Sequence, residues 1–146
     1  MKSKGKRHVL GAVLLAGMMA VSAGTTVVWA NNCKDEYVQM HFDETVGNYV
    51  NHTRGREKQD YSSSYIKSSY SSNGQSFRAT LVAAGGENSK VYYDNFKLVS
   101  YDIDLGEERW MRNYVKESGY NAAAVRCESN YGAAYTIKFK WSPDSV

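Results

Sequence analysis

Helical periodicity is missing from this sequence. No stretch carries a convincing apolar stripe at three-to-four-residue spacing, although Glu107 to Glu117 could form an amphipathic turn or two. Proline is nearly absent: the one residue, Pro143, lies past the last apolar run, where it ends a strand without interrupting a sheet. Cysteine is limited to Cys33 and Cys127, which permits at most one internal bridge. Val, Ile, Leu and Phe are scarce in the part that would have to fold, so an ordinary aliphatic core is excluded. No catalytic or cofactor motif stands at its diagnostic spacing.

What is present begins with a basic and then apolar N-terminus. Lys2, Lys4, Lys6 and Arg7 precede Val9 to Ala23, an uncharged run rich in Ala, Val, Leu and Met. Val28-Trp29-Ala30 then sets a small residue before the polar Asn31-Asn32. This is the three-part layout of a secretory signal peptide. It predicts a signal over residues 1–30, cleaved after Ala30 or, as the alternative, after Ala23. Residues 31–146 then form a single secreted domain. The competing reading is an uncleaved anchor over residues 9–30, which Gly, Ser and Thr between Ser22 and Thr26 weaken.

Removing the signal changes the electrostatics. All 15 acidic residues follow Ala30, whereas four of the 18 basic ones precede it, leaving 14 basic against 15 acidic and a net charge of −1. A domain with that balance projects no general field for polyanions, which excludes nucleic acid as an expected partner.

All 12 tyrosines also lie after Ala30. Tyrosine buries a large ring while keeping its hydroxyl wet, so a half-buried sheet can be built from it. The predicted staple is a disulfide between Cys33 and Cys127, the usual fate of two cysteines in an exported chain. Closing a loop of roughly 95 residues would stabilise by about 4–5 kcal/mol in the chain-entropy view. A buried free thiol, a reactive one, or a nucleophile paired with His41 or His52 are the alternatives.

The dominant period is two. Val38, Met40 and Phe42 alternate with Gln39 and His41. Ser76 to Ala83 puts Phe77, Ala79 and Leu81 on one face before the turn cluster Gly85-Gly86-Glu87-Asn88. Val91 to Ile103 supplies one or two further strands. Trp110 to Val115 and Tyr120 to Cys127 flank Glu117-Ser118-Gly119, which reads as a hairpin. Ala133, Tyr135, Ile137, Phe139 and Trp141 form the cleanest alternation of all. The expected fold is all-β: a small antiparallel sandwich or partly open barrel of about six or seven short strands.

One segment departs from this pattern. Tyr61 to Ser72 holds seven serines among twelve residues, with tyrosines at 61, 65 and 70. It reads either as a solvent-facing edge strand or flexible loop, or as a Tyr/Ser recognition face suited to sugars, peptides or wall polymers. Other candidates are thinner. His41, Asp43, Glu44 and His52 are metal-ligand types without metal-site spacing. Asp102, Asp104, Glu107 and Glu108 gather near Gly106 but miss the calcium-loop register, so a solvated acidic turn is expected. Arg54 to Lys58 reads as a charged loop, and Asn51-His52-Thr53 as a chance sequon.

Three stretches carry a resemblance: Asp60-Tyr61-Ser62-Ser63-Ser64-Tyr65-Ile66-Lys67, Asn113 to Tyr120 (NYVKESGY), and Trp141-Ser142-Pro143-Asp144-Ser145. With the signal junction, they resemble an uncharacterised family of small exported proteins of Gram-positive bacteria. More distantly, the chain is similar in style to the lactococcin-like secreted bacteriocins, which are small β-sandwich proteins. Its cysteine pair, longer domain and tail after Trp141 depart from that pattern.

These readings predict a non-enzymatic secreted domain that binds a cell-envelope component and is bacteriocin-like or bacteriocin-associated. The expected contacts are Tyr61, Tyr65, Tyr70 and Trp141, with no metal, no cofactor and no membrane-spanning segment in the mature form. The alternatives are an extracellular structural or interaction protein that takes a protein partner along a sheet edge, and an exported hydrolase.

Overall fold

The computed structural model describes residues 32–43 and 49–145; the expected signal over residues 1–30 and the candidate ligand Glu44 lie outside them. Ten strands form: β1 Glu36–Phe42, β2 Val50–His52, β3 Arg56–Glu57, β4 Ser64–Ser71, β5 Phe77–Ala84, β6 Tyr92–Tyr93, β7 Ser100–Ile103, β8 Glu108–Met111, β9 Ala122–Ser129 and β10 Tyr135–Ser142. One sheet has the order β1-β10-β4-β8. The other runs β2-β9-β5-β6, with β3 also on β9 and β7 also on β5. All pairings are antiparallel. The all-β antiparallel class expected from the period of two is the observed one. The strand count exceeds the expectation because β2, β3 and β6 span only two or three residues, too few to show a period.

Alternation decides which side each strand buries. Met40 and Phe42 of β1, Ile66 of β4, and Tyr135, Ile137, Phe139 and Trp141 of β10 point into the sandwich. Phe77, Ala79, Leu81, Ala123, Val125 and Cys127 of β5 and β9 meet them from the other sheet. Strands β5 and β9 are buried on both faces, because Tyr92 and Leu98 cover Val82, Ala84, Ala122 and Ala124 on the outside. Alanine suits that second layer, since small side chains let the covering segment lie close. A core residue such as Phe139 would cost about 3–5 kcal/mol if truncated to Ala.

Several expectations need correction. Strands β8 and β9 do not form a hairpin, because they belong to different sheets. The turn between them, closed by Ser118 N–H to Tyr114 O and Tyr120 N–H to Val115 O, carries the chain across the sandwich. The Tyr/Ser-rich segment is not a loop from Ser64 on: Ser64–Ser71 form β4, whose first half, Ser64–Lys67, lies between β10 and β8 and not at an edge, while Tyr70 and Ser71 continue the pairing with β10 past the end of β8. Trp141 is fully buried.

The expected Cys33–Cys127 bridge is not formed, and both cysteines are free. Asn32, next to Cys33, donates to the Glu57 carbonyl, and Glu57 pairs with Ala122 at the start of β9. Cys127 lies five residues further along that strand, about 16 Å away at the usual rise. Bridged cysteines need Cα atoms within about 7 Å.

The charged stretch Arg54 to Lys58 is not simply a surface loop either. Gly55 packs against the backbone of Gly86 and the side chain of Ala84, and its N–H donates to Ser89 O at 2.9 Å. Lys58 is driven into the interior, where its ammonium meets Asp144 at 3.0 Å.

Candidate functional site

The outward positions of the four-stranded sheet make one continuous aromatic and basic face. In β4, alternation sends Ser64, Ile66 and Ser68 inward and Tyr65 and Lys67 outward. Strict alternation would then turn Tyr70 inward. The register shifts instead: Ser68 pairs with Phe139 but Tyr70 pairs with Lys138, so Ser69 is an extra residue. This bulge re-aims Tyr70 to the outer face, and Ser69 Oγ donates to Lys138 O at 3.1 Å.

Neighbouring strands complete the surface. Trp110 of β8 stands opposite Tyr65, with ring centroids 5.7 Å apart in an edge-to-face arrangement. Tyr37 of β1 stands opposite Lys140. The Lys140 ammonium lies 5.4 Å from the Tyr65 ring centre and 2.6 Å from Asp35 Oδ2. The Lys138 ammonium lies 5.1 Å from the Tyr70 ring centre, and Lys67 pairs with Glu108 at 3.1 Å. Tyr37 is 81% exposed, Trp110 56% and Tyr70 43%, while Tyr65 is half-buried between its neighbours.

The titratable groups are tuned by these contacts. Burial, followed by its hydrogen bond to Glu108, raises the Tyr65 phenol. The Lys67 hydrogen bond, then that of Tyr65, holds the Glu108 carboxyl below its ordinary value. The hydrogen bond to Asp35 raises Lys140. All three shifts keep the groups in their usual charge states at neutral pH, so the face offers fixed ammonium donors beside aromatic rings. Such a face can stack against apolar ring surfaces and bind anionic or hydroxyl groups.

Of the four expected contact residues, Tyr65 and Tyr70 share this face. Tyr61 is exposed in the turn before β4, and Trp141 sits beneath the sheet with the Arg56 guanidinium 5.5 Å from its ring centre. Sequence reasoning misses Trp110, Tyr37, Lys138 and Lys140. Tyr37 and the two lysines are the polar partners in the alternations of β1 and β10, and that phase is the available signal.

The remaining candidates stay apart. His41 Nδ1 is 3.0 Å from Thr136 Oγ1, whereas His52 stacks on Tyr92 with ring centres 4.2 Å apart. Burial, then Arg126, lowers the His52 pKa. Asp102 pairs with Arg78, Glu107 with Arg109 and Glu108 with Lys67. Among the described residues no three His, Cys, Asp or Glu side chains gather as a metal site. Burial, then Asp144 and Asp60, raises the Cys33 thiol, and burial pushes the Cys127 thiol far up. Neither is activated as a nucleophile. Among the described residues no helix is long and apolar enough to cross a membrane.

No curated protein and no solved structure matches this chain. The family model described as a protein of unknown function, DUF2712, matches residues 26–145, and the chain belongs to that family.

Proposed function

We propose that the chain is an exported, non-enzymatic binding module that holds a cell-envelope polymer on the outer face of its four-stranded sheet. The observation that carries this reading is the shared outward placement of Tyr37, Tyr65, Tyr70 and Trp110 beside Lys138 and Lys140. Strands fix these side chains before any ligand arrives, so little conformational entropy is lost on binding. Tyr65 and Tyr70 stand opposite Ser142 and Lys138, four residues apart on β10, which separates them by about 13 Å along the strand. A repeating polymer can engage rings at that separation with successive units, whereas a small solute would reach only one. Export rests on the N-terminal signal layout, and a bacteriocin-like action on neighbouring cells rests on the resemblance described above.

Co-sedimentation with purified Gram-positive cell walls tests the reading. The chain from Asn31 should pellet with walls, and Trp110→Ala with Tyr70→Ala should weaken binding by about 1–2 kcal/mol per ring. Wild-type sedimentation by the folded double variant would sink the assignment of this face. Failure of the wild type to pellet would sink the envelope ligand itself. Selective growth inhibition across a strain panel would support the bacteriocin-like form of the proposal.

A further inference from the structure

The outer face of the four-stranded sheet ends in a recess of about 230 Å³, where β10 runs out beside the C-terminal tail. Tyr65 stands opposite Ser142 on one side and Trp110 on the other, so all three meet at this end. The two rings are inclined at 60° with centroids 5.7 Å apart, an aromatic corner in which the indole stays 56% exposed. The buried Ser142 and Asp144 line the recess as well, with Cys33, Asp35 and Ser145 around them.

Its walls are fixed and their chemistry is one-sided. Ser142 Oγ donates to Asp144 O at 3.0 Å and the Ser145 N–H donates to Ser62 Oγ at 2.9 Å, so the tail is in place before any ligand arrives. None of the lining side chains is cationic, and two are carboxylates. The neighbouring ammonium of Lys140 is held 2.6 Å from Asp35 Oδ2, and that of Lys58 is enclosed with Asp144. An anionic group entering the recess meets carboxylates. Neutral donors find acceptors, because Asp35 keeps a second carboxylate oxygen and the hydroxyl oxygens of Ser142 and Ser145 keep lone pairs. The volume lies below the roughly 300 Å³ at which drug-sized sites begin, which limits the occupant to about one ring.

Resting on the polymer-binding reading above, we infer that this recess holds one uncharged pyranose ring of a wall glycan. The C–H face of the sugar lies on Trp110 and its edge meets Tyr65, an apolar body against aromatic rings with its polar rim left free. Its hydroxyls donate to Asp35, Ser142 and Ser145, and the glycan runs on toward Tyr70, about 13 Å away along the strand. A polyol phosphate fits less well, since it has no ring face to stack and carries the charge that the two carboxylates repel.

Cys33 in the wall reports occupancy, because the other thiol, Cys127, is fully buried. The test is alkylation of Cys33 in the folded chain with N,N′-diacetylchitobiose, cellobiose or glycerol 3-phosphate present, alongside NMR titration of the Trp110 indole N–H. Either disaccharide should move the Trp110 signal saturably, and at about ten times the Kd so measured it should slow alkylation about tenfold, as the free fraction falls. Trp110→Ala should weaken that protection about tenfold, and Trp110→Phe should restore most of it. No protection by either disaccharide, or protection by glycerol 3-phosphate alone, would overturn the sugar ring even where the wild type pellets with walls. Protection without pelleting would keep the ring in the recess and sink the polymer reading instead.

Discussion

Lys58 and Asp144 form an ion pair at 3.0 Å whose side chains expose no surface to solvent. The ammonium also donates to Ser62 O and Pro143 O, both at 2.8 Å, which uses its three protons. Asp144 Oδ2 accepts the N–H groups of Asn32 and Gln59 at 3.1 and 3.0 Å. One buried pair therefore ties the chain before β1, the β3–β4 link and the C-terminal tail into a single knot.

Breaking that knot from one side should be severe. Asp144→Ala leaves a buried ammonium without its counter-charge and should cost about 3–5 kcal/mol in urea unfolding. Replacing both residues, as Lys58→Met with Asp144→Leu, should cost less than the sum of the two single changes. Additive losses would show that the pair is not coupled.

The same carboxylate should confer acid sensitivity. Burial pushes the Asp144 pKa up, but the Gln59 amide, the Lys58 ammonium and the Asn32 amide outweigh it and hold the net value below the ordinary one. A depressed native pKa contributes stability that is complete above the unfolded value, about 3.9, and is lost as pH falls through the native value. The stability gap between wild type and Asp144→Asn should therefore be constant from pH 7 to 5 and shrink below pH 4. A gap that widens in acid would contradict this sign.

The cysteines should behave as two separate thiols. Ellman titration of the native chain should report Cys33 but not Cys127, with both reacting after denaturation, and reductant should leave Tm unchanged. Cys127→Ser should cost about 1–3 kcal/mol by placing a hydroxyl in the core. An oxidised mass with a Tm that falls on reduction would restore the bridge.

Gly55 has no room for a side chain. A methyl there would lie 2.6 Å from Ala84 Cβ and also clash with Gly86 O. Gly55→Ala should destabilise by about 1–3 kcal/mol through overpacking, whereas Gly74→Ala meets no atom within 4 Å and is strained only by its φ of 72°. Equal thermal shifts for the two would argue against the close approach.

The local pattern of residues was enough to place the long strands. In β1 and β10, Met40, Phe42, Tyr135, Ile137 and Phe139 each fall on the buried side that a period of two assigns them, because alternation is a property of the strand itself. Tyr65 and Tyr70 were legible as surface tyrosines from composition, but their common face was not, since it depends on the bulge at Ser69. Trp141 obeyed the same alternation as its neighbours, and its phase marked it for the core although its chemistry suggested a contact residue.

Pairing across the sandwich needed the tertiary structure. The sequence by itself determined the all-β class, the strand phases and the near-neutral charge of the part after Ala30, all of which are local or additive. Only the fold decided that Lys58 finds Asp144, that Cys33 and Cys127 stay apart, that β8 and β9 part company, and that Trp110 meets Tyr65. Each of these depends on which distant strands share a sheet. That choice is made by the packing of the whole core, and no window of neighbouring residues contains it.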